Sequence, residues 1–197
     1  MPVIAYHAVF STYGFWLPND PRGSNSAEVR ADNIKPFGPA TLVTTTRRSV
    51  ANRPHNRAER LAAKKALVRP EVVLNGHQAL SIAAGFGKQV AKSGYRVYAC
   101  SILPQHVHLV IGRHSYSIEQ VVRLLRQAAT VQLEADGLHP FERLRNGRLP
   151  SVWGQDFRKV FLFTPEDVRD RIEYVRLNPL REGKRIQHWP FVIPYVV

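Results

Sequence analysis

Leu103-Pro-Gln-His-Val-His-Leu-Val-Ile111 is the stretch around which the chain is organised, because it places two histidines at the start of an apolar run. Side chains alternate between the two faces of a β-strand, so His106 and His108 point to one face. Two imidazoles side by side on a strand can bind one metal ion, since histidine is the commonest metal ligand. Eight histidines in this chain give roughly 0.3 such pairs by chance, so the pair gains weight only from the rest of the sequence.

The composition describes one basic globular domain. The chain has 197 residues, a hydrophobic fraction of 44% and a formal net charge of +13. A surface that basic favours a polyanion, and nucleic acid is the first candidate. The alternatives are a basic protein that is merely soluble and one that binds anionic membranes. Cys100 is the single cysteine, which excludes an internal disulfide, and its place in an apolar run predicts a buried, inert thiol.

The sequence contains no signal for membrane insertion. No run of about 18 apolar residues occurs, so no membrane span is expected. The first residues, Met-Pro-Val-Ile-Ala-Tyr-His, lack the charged region of a signal peptide. A chain without disulfides suits a reducing compartment, and the expected location is therefore the cytoplasm.

The hydrophobic periodicity predicts an alternation of strands and helices. Strands are expected at 3–12, 95–103, from His106 to Gly112, and within 152–163. Helices are expected at 56–68, from Pro70-Glu71 to Ser93-Gly94, at 117–135, and from Thr164 to about Leu177, where Pro179 disfavours a helical Asn178. Residues 24–69 read as a basic inserted loop and helix segment.

This order predicts an α+β fold over a single domain, 1–197. Without the insertion after the first strand and the last helix, it is the β-α-β-β-α-β pattern of ferredoxin-like proteins. The first strand and the His106 strand are then the central pair of an antiparallel sheet. Helices cover one face, and the other face is open, where His106 and His108 could meet a ligand. His7 is expected to be a structural or strand-face polar group, and Trp153 a core anchor.

Several arginines are candidates for phosphate contacts, because each cation placed near a phosphate displaces a counterion. The alternative is a solvated charge run. The candidates lie in the insertion, on the predicted helix 117–135 and on the last helix: Arg47, Arg48, Arg53, Arg57, Arg123, Arg126 and Arg171.

A site with two histidines is incomplete and needs a further oxygen or nitrogen donor. Nucleophilic attack on DNA requires a hydroxyl that can form a phosphate ester, and a tyrosine qualifies. Tyr174 and Asn178 are four residues apart, which would place a nucleophile and an oxygen ligand on one helix face. Tyr116 is the alternative nucleophile, although its position in a helix-entry turn has a plainer capping explanation.

The chain resembles the REP-associated tyrosine transposases, members of the HUH single-strand nucleases. Pro104-Gln-His-Val-His-Leu-Val-Ile111 resembles the family's His-hydrophobe-His motif, and Glu173-Tyr-Val-Arg-Leu-Asn-Pro-Leu-Arg-Glu-Gly183 resembles its tyrosine-helix motif. Trp153-Gly-Gln-Asp-Phe157, Trp189-Pro-Phe191 and the segment 12–24 are also similar to family segments. The departures are Gln105, where the family often has Asn, an extra residue between Trp153 and Gln155, and the insertion.

The resemblance implies a metal-dependent enzyme that nicks and joins single-stranded DNA near hairpins or palindromic repeats. Tyr174 would form a 5′-phosphotyrosine link and release a 3′-hydroxyl. His106 and His108 would hold Mg²⁺ or Mn²⁺, with Asn178 as a possible third ligand. The expected partner is single-stranded or hairpin DNA, bound by a monomer or homodimer. Two alternatives remain: a non-catalytic nucleic-acid-binding module on the same fold, and a metal-dependent phosphodiesterase that uses water.

Overall fold

The computed structural model describes residues 1–18, 20, 28–29, 31–40 and 56–196. Its strands are β1 (Ala5–Thr12), β2 (Val97–Ile102), β3 (His106–Gly112) and β4 (Trp153–Leu162). Its α-helices are α1 (Arg57–Lys65), α2 (Gly76–Ser93), α3 (Ile118–Ala135) and α4 (Pro165–Arg181). Part of the predicted insertion, including Arg47, Arg48 and Arg53, lies outside the described residues.

The four strands form one antiparallel sheet in the order β2-β3-β1-β4. This order, together with α2 between β1 and β2 and α3 between β3 and β4, confirms the predicted ferredoxin-like α+β fold. β1 and β3 are the central pair, as expected. Their register pairs Val9 with His108 and Ser11 with His106, which places β1 side chains beside both histidines.

The main core lies between the sheet and helices α2 and α3. Val107, Leu109 and Ile111 of β3 are buried in it, which confirms the alternation read from the sequence. Trp153 is buried in the same core and donates its indole N–H to the carbonyl of Arg126, as befits an anchor. The two helices pack closely because Gly85 leaves no room for a side chain against Ala128 and Ala129.

The second face of the sheet is covered by α4, and the expectation of an open face was wrong. Val168 and Val175 of α4 are fully buried against a second apolar cluster that includes Val110 and Leu162. Apolar side chains on both faces of the sheet need cover from water, and α4 supplies it on this side. The helix that carries Tyr174 therefore packs directly on the face that carries His106 and His108.

The prediction that α2 begins at Pro70-Glu71 was wrong, because the helix begins at Gly76. Asn75 caps it in a capping box with Gln78, in which each side chain accepts from the other residue's backbone N–H. The preceding segment is extended and tied to the sheet, since the N–H of Val72 donates to the carbonyl of Tyr13. The buried Val72 and Leu74 thus reach the core without helix formation.

Helix α4 begins as predicted and ends later than predicted. Thr164 caps it, Pro165 occupies the first turn, and Asp167 completes a capping box. The helix continues through Pro179 to Arg181 instead of ending near Leu177. Pro179 lies in the last turn, where only one helical hydrogen bond is lost, and both Asn178 and Pro179 are buried by packing.

The C-terminal segment packs back on the domain, as expected. Val192 forms a parallel bridge with Val97, and Trp189 and Phe191 pack against the main core. In the described part of the chain, no helix combines the length and the apolar character that crossing a membrane requires.

Candidate active site

His106 and His108 lie side by side on β3, as their spacing predicts. Their ring centres are 5.0 Å apart, with the ring planes at 72°. An ion bound by one ring nitrogen lies about 2.1 Å from it and about 3.2 Å from the ring centre. If two such rings bind one ion with a nitrogen–metal–nitrogen angle of about 90 to 110°, the two ring centres lie about 4.5 to 5.2 Å apart. The observed separation therefore fits two ligands of one ion.

Tyr174 of α4 lies against His108 and against His7 of β1 in the same chain. Its ring centre is 5.8 Å from that of His108 and 6.0 Å from that of His7. The helix that places Tyr174 there is anchored on the sheet by the buried Val175. A nucleophile candidate and the two-histidine strand thus meet within one chain, which the sequence left open.

His7 of β1 is a member of this cluster that sequence reasoning missed. Its Nε2 lies 3.0 Å from Nδ1 of His108, within hydrogen-bonding distance. His7 pairs with Val110 in the β1–β3 register, so it reaches His108 along the diagonal of the sheet. A lone histidine in a strand has no local signal for such a contact, which depends on the register between strands 101 residues apart in sequence.

Burial keeps His7 and His108 neutral at pH 7. Loss of solvation lowers the pKa of His7 to about 3, and the positive charges of Arg171 and Arg158 add to this effect. Burial also lowers the pKa of His108 well below the usual histidine range, followed by the charges of His106, His7, Arg171 and Arg158. Neutral imidazole keeps a lone pair and is therefore the form that can bind a metal ion.

Positively charged side chains surround the tyrosine. The guanidinium carbon of Arg181 lies 4.8 Å from the Tyr174 ring centre, and that of Arg171 lies 5.4 Å from it. Both distances are typical of cation–π contacts. Arg158 of β4 pairs with Val9 in the sheet and so shares the face of the histidines. The site can therefore attract an anion such as a phosphate.

His106 is the more accessible histidine and has two further neighbours. The Phe15 ring lies nearly parallel to it, at 5.5 Å between centres. The Oε1 atom of Glu182 lies 3.7 Å from its Nε2, which is too long for a strong hydrogen bond. Glu182 and Arg181 follow the predicted end of the last helix near Leu177. Their place at the site was therefore not predicted from the sequence.

A metal site at His106 and His108 needs a third donor. Among the described residues, no group of three or more of these side chains is arranged to hold an ion. Asn178 lies one helical turn after Tyr174 and is buried, and its carboxamide oxygen suits Mg²⁺ or Mn²⁺. The amide oxygen is a ligand type that suits Mg²⁺ or Mn²⁺, whereas the two imidazoles are ligand types that suit transition-metal ions better.

The remaining predicted residues lie elsewhere. Arg57 on α1 and Arg123 on α3 are exposed. Arg126 is instead partly buried and donates to the backbone carbonyls of Gln155 and Asp156 at the start of β4. The Tyr116 ring contacts His114, beyond the far end of β3, and the six steps from His106 to Gly112 alone span about 20 Å.

The fold and the site together define a ferredoxin-like protein in which a two-histidine strand faces a tyrosine-bearing helix. A solved structure described as a REP-associated tyrosine transposase bound to a REP hairpin is similar over 93% of this chain and 70% of that one, at 12% identity and a TM-score of 0.49. A provisionally assigned transposase from Deinococcus radiodurans R1 is similar over 95% of both chains, at 13% identity and a TM-score of 0.40. No protein-family model and no curated protein matches the sequence.

Proposed function

We propose that the protein is a metal-dependent single-stranded DNA endonuclease and strand transferase that acts on hairpin or palindromic repeat DNA. The observation that carries this proposal is the contact of Tyr174 with the His108 ring, at 5.8 Å between ring centres. Cleavage through a covalent intermediate requires a nucleophile and metal ligands that lie close enough together to act on the same phosphate.

In the proposed reaction, the Tyr174 hydroxyl oxygen attacks the scissile phosphorus. A bond forms between this oxygen and phosphorus, and the bond from phosphorus to the 3′ oxygen breaks. The tyrosine hydroxyl releases its proton as this bond forms, and the leaving 3′ oxygen takes up one proton to become a 3′-hydroxyl, so the number of protons is unchanged. The 5′ end of the cut strand remains on Tyr174, and attack by another 3′-hydroxyl reverses the step and joins the strands.

The chain's residues have separate roles in this scheme. His106, His108 and Asn178 would hold Mg²⁺ or Mn²⁺, which when bound polarises the phosphate and offsets its developing charge. Arg171 and Arg181 flank Tyr174 and would hold the phosphate beside it. The exposed Arg57 and Arg123 would contact the DNA backbone further away.

Covalent trapping tests the proposal. A hairpin DNA labelled at its 3′ end is incubated with the protein and Mn²⁺, and protein-linked label is measured on a denaturing gel. We expect an adduct that is lost in Tyr174→Phe and in the His106→Ala/His108→Ala double variant. Tyr116→Phe is the matched control and should form the adduct as the unaltered protein does.

The outcomes separate the alternatives. An adduct that persists in Tyr174→Phe and disappears in Tyr116→Phe would move the nucleophile to Tyr116. Free 5′-phosphate ends without any adduct would indicate a phosphodiesterase that uses water. The net charge of +13 favours a nucleic-acid-binding module as the second candidate. That module would bind the hairpin in a salt-sensitive way, with or without metal, and would leave the DNA uncut.

A further inference from the structure

Burial of His7 costs free energy, because its polar imidazole ring lies in the middle of a central strand. Its exposed fraction is 3%, and its neighbours in the strand register are Val110 and Val160. Within the described part of the chain, its Nδ1 atom has no hydrogen-bond partner. A buried ring that satisfies only one of its two nitrogens is a poor packing element, so its contact with His108 is the feature that needs an explanation.

The contact between His7 and His108 has the geometry of an in-plane hydrogen bond. The ring planes differ by 11°, and the ring centres are 5.2 Å apart. Two coplanar imidazoles joined edge to edge by a 3.0 Å nitrogen–nitrogen contact have centres about 5.3 Å apart, so the rings meet at their edges. Two nitrogens 3.0 Å apart leave room for one hydrogen between them, so one ring donates while the other accepts.

The direction of this hydrogen bond decides which nitrogen of His108 is free. If His7 donates, His108 accepts at Nδ1 and carries its own proton on Nε2, where it then has no lone pair for a metal. If His108 donates from Nδ1, its Nε2 keeps the lone pair. With Nδ1 only 3.0 Å from His7, no ion fits there, so Nε2 is the nitrogen left to bind one.

We propose that His7 is a positioning residue that accepts the Nδ1–H of His108 and so turns the Nε2 lone pair of His108 toward the metal. The inference rests on the proposed function, because it assigns His7 a part in the same metal site. His7 itself touches neither metal nor DNA in this scheme. In the loaded site its own proton lies on Nδ1, which leaves the proton count of the pair unchanged.

Nitrogen NMR of the histidine rings tests the hydrogen-bond direction in the unaltered protein. Long-range ¹H–¹⁵N correlation spectra are recorded with and without saturating Mg²⁺, and signals are assigned with His7→Gln and the exposed His77→Gln. With Mg²⁺ we expect His108 to carry its proton on Nδ1 and His7 to carry its proton on Nδ1. A proton on Nε2 of His7 in the loaded protein would overturn the proposal.

Metal affinity tests the role of the acceptor. Mn²⁺ binding is measured by calorimetry for the unaltered protein, His7→Met, His7→Gln and the control His77→Gln. Loss of the acceptor in His7→Met should weaken binding about 10- to 100-fold, the effect of removing an outer-shell partner of a metal ligand. The oxygen of glutamine can accept at the place of Nε2, so His7→Gln should stay within about threefold of the unaltered protein.

The results distinguish this inference from the proposed function. Equal Mn²⁺ affinity in His7→Met and the unaltered protein, or equal loss in His7→Met and His7→Gln, would show that His7 only packs. Mn²⁺ binding with the expected protonation pattern but without any DNA adduct would uphold the inference and refute strand transfer. If the unaltered protein binds no Mn²⁺, both proposals fail together.

Discussion

We expect substitution of Arg171 or of Arg181 to give a clear change in the rate of adduct formation. Their guanidinium groups lie 5.4 and 4.8 Å from the centre of the Tyr174 ring, where they can hold a phosphate beside the proposed nucleophile. Replacing either with Met should slow adduct formation about 10- to 100-fold in single-turnover assays at saturating DNA, as removal of a preorganised charge does at other sites.

Arg176→Met is the matched control on the same helix. Arg176 is exposed and forms an ion pair with Glu173, on the side of α4 away from Tyr174. Its loss should change the rate less than twofold. A rate in Arg181→Met equal to that of Arg176→Met would remove Arg181 from the site.

The position of a residue can be predicted from the sequence where a local pattern decides it. His106 and His108 share a face because strands alternate with period two, and Tyr174 and Asn178 share one because helices repeat every 3.6 residues. His7 could not be found in this way. Its hydrogen bond to His108 depends on how β1 and β3 align, and that register is set by packing of the whole sheet.

At the level of secondary-structure elements, the contact between α2 and α3 is the most sensitive to added volume. A Cβ atom at Gly85 would lie 2.7 Å from the carbonyl oxygen of Ala128 and 2.8 Å from Cα of Ala129, both in the backbone. Gly85→Ala should therefore lower the free energy of unfolding by about 1 to 3 kcal/mol through overpacking. Urea denaturation measures the change.

Gly87 provides the control for that measurement, since it lies two residues further along the same helix. An added Cβ there would lie 3.5 Å from a Phe191 side-chain atom, an ordinary contact. Gly87→Ala should be neutral or raise the stability by up to about 1 kcal/mol through helix propensity. Equal effects of the two substitutions would contradict the close approach of α2 to α3.

Asp167 makes the start of α4 sensitive to acid. Its carboxylate accepts from the backbone N–H groups of Phe163 and Thr164, and these bonds lower its pKa below the usual range. Because the pKa is lower in the folded state, the stabilisation is complete above the unfolded-state pKa near 3.9 and is lost as the pH falls through the folded-state value.

Asp167→Asn should therefore destabilise the protein at pH 7 and lose that difference from the unaltered protein as the pH drops below about 4. Urea denaturation at pH 7, 5 and 3 checks this dependence. The exposed Asp170→Asn, on the same helix, serves as the comparison. A constant difference between Asp167→Asn and the unaltered protein at all three pH values would show that the carboxylate charge is unimportant there.

The helix boundaries show why some elements were misplaced. A proline suits a first helical turn, and this rule placed the start of α2 at Pro70. The stronger signal was the capping pair Asn75 and Gln78, which closes a hydrogen-bonded box five residues later. At the end of α4, burial of Asn178 and Pro179 outweighed the local preference against a helix before proline.

At the scale of the whole molecule, the order of elements was predictable, whereas the arrangement of the last helix was not. The alternation of strands and helices is sufficient to recognise the ferredoxin-like sheet. Whether α4 packs on its own sheet depends on matching apolar surfaces, Val168 and Val175 on one side and Val110 on the other, and on a connection as short as Phe163-Thr164.

The contact between Tyr174 and the histidines of the same chain predicts that one chain performs a complete cut. Mixing Tyr174→Phe with the His106→Ala/His108→Ala variant should give no adduct, because neither chain has both parts. The rate of the unaltered protein should rise linearly with its concentration. Recovery of adduct in the mixture would show that the helix can serve a second chain.

That contact also has a consequence for gene dosage. Since each chain places Tyr174 beside its own histidines, an inactive copy in the same cell should leave the activity of an intact copy unchanged. Mutations at Tyr174 or His108 should therefore behave as recessive, and the number of cuts should follow the number of intact chains alone.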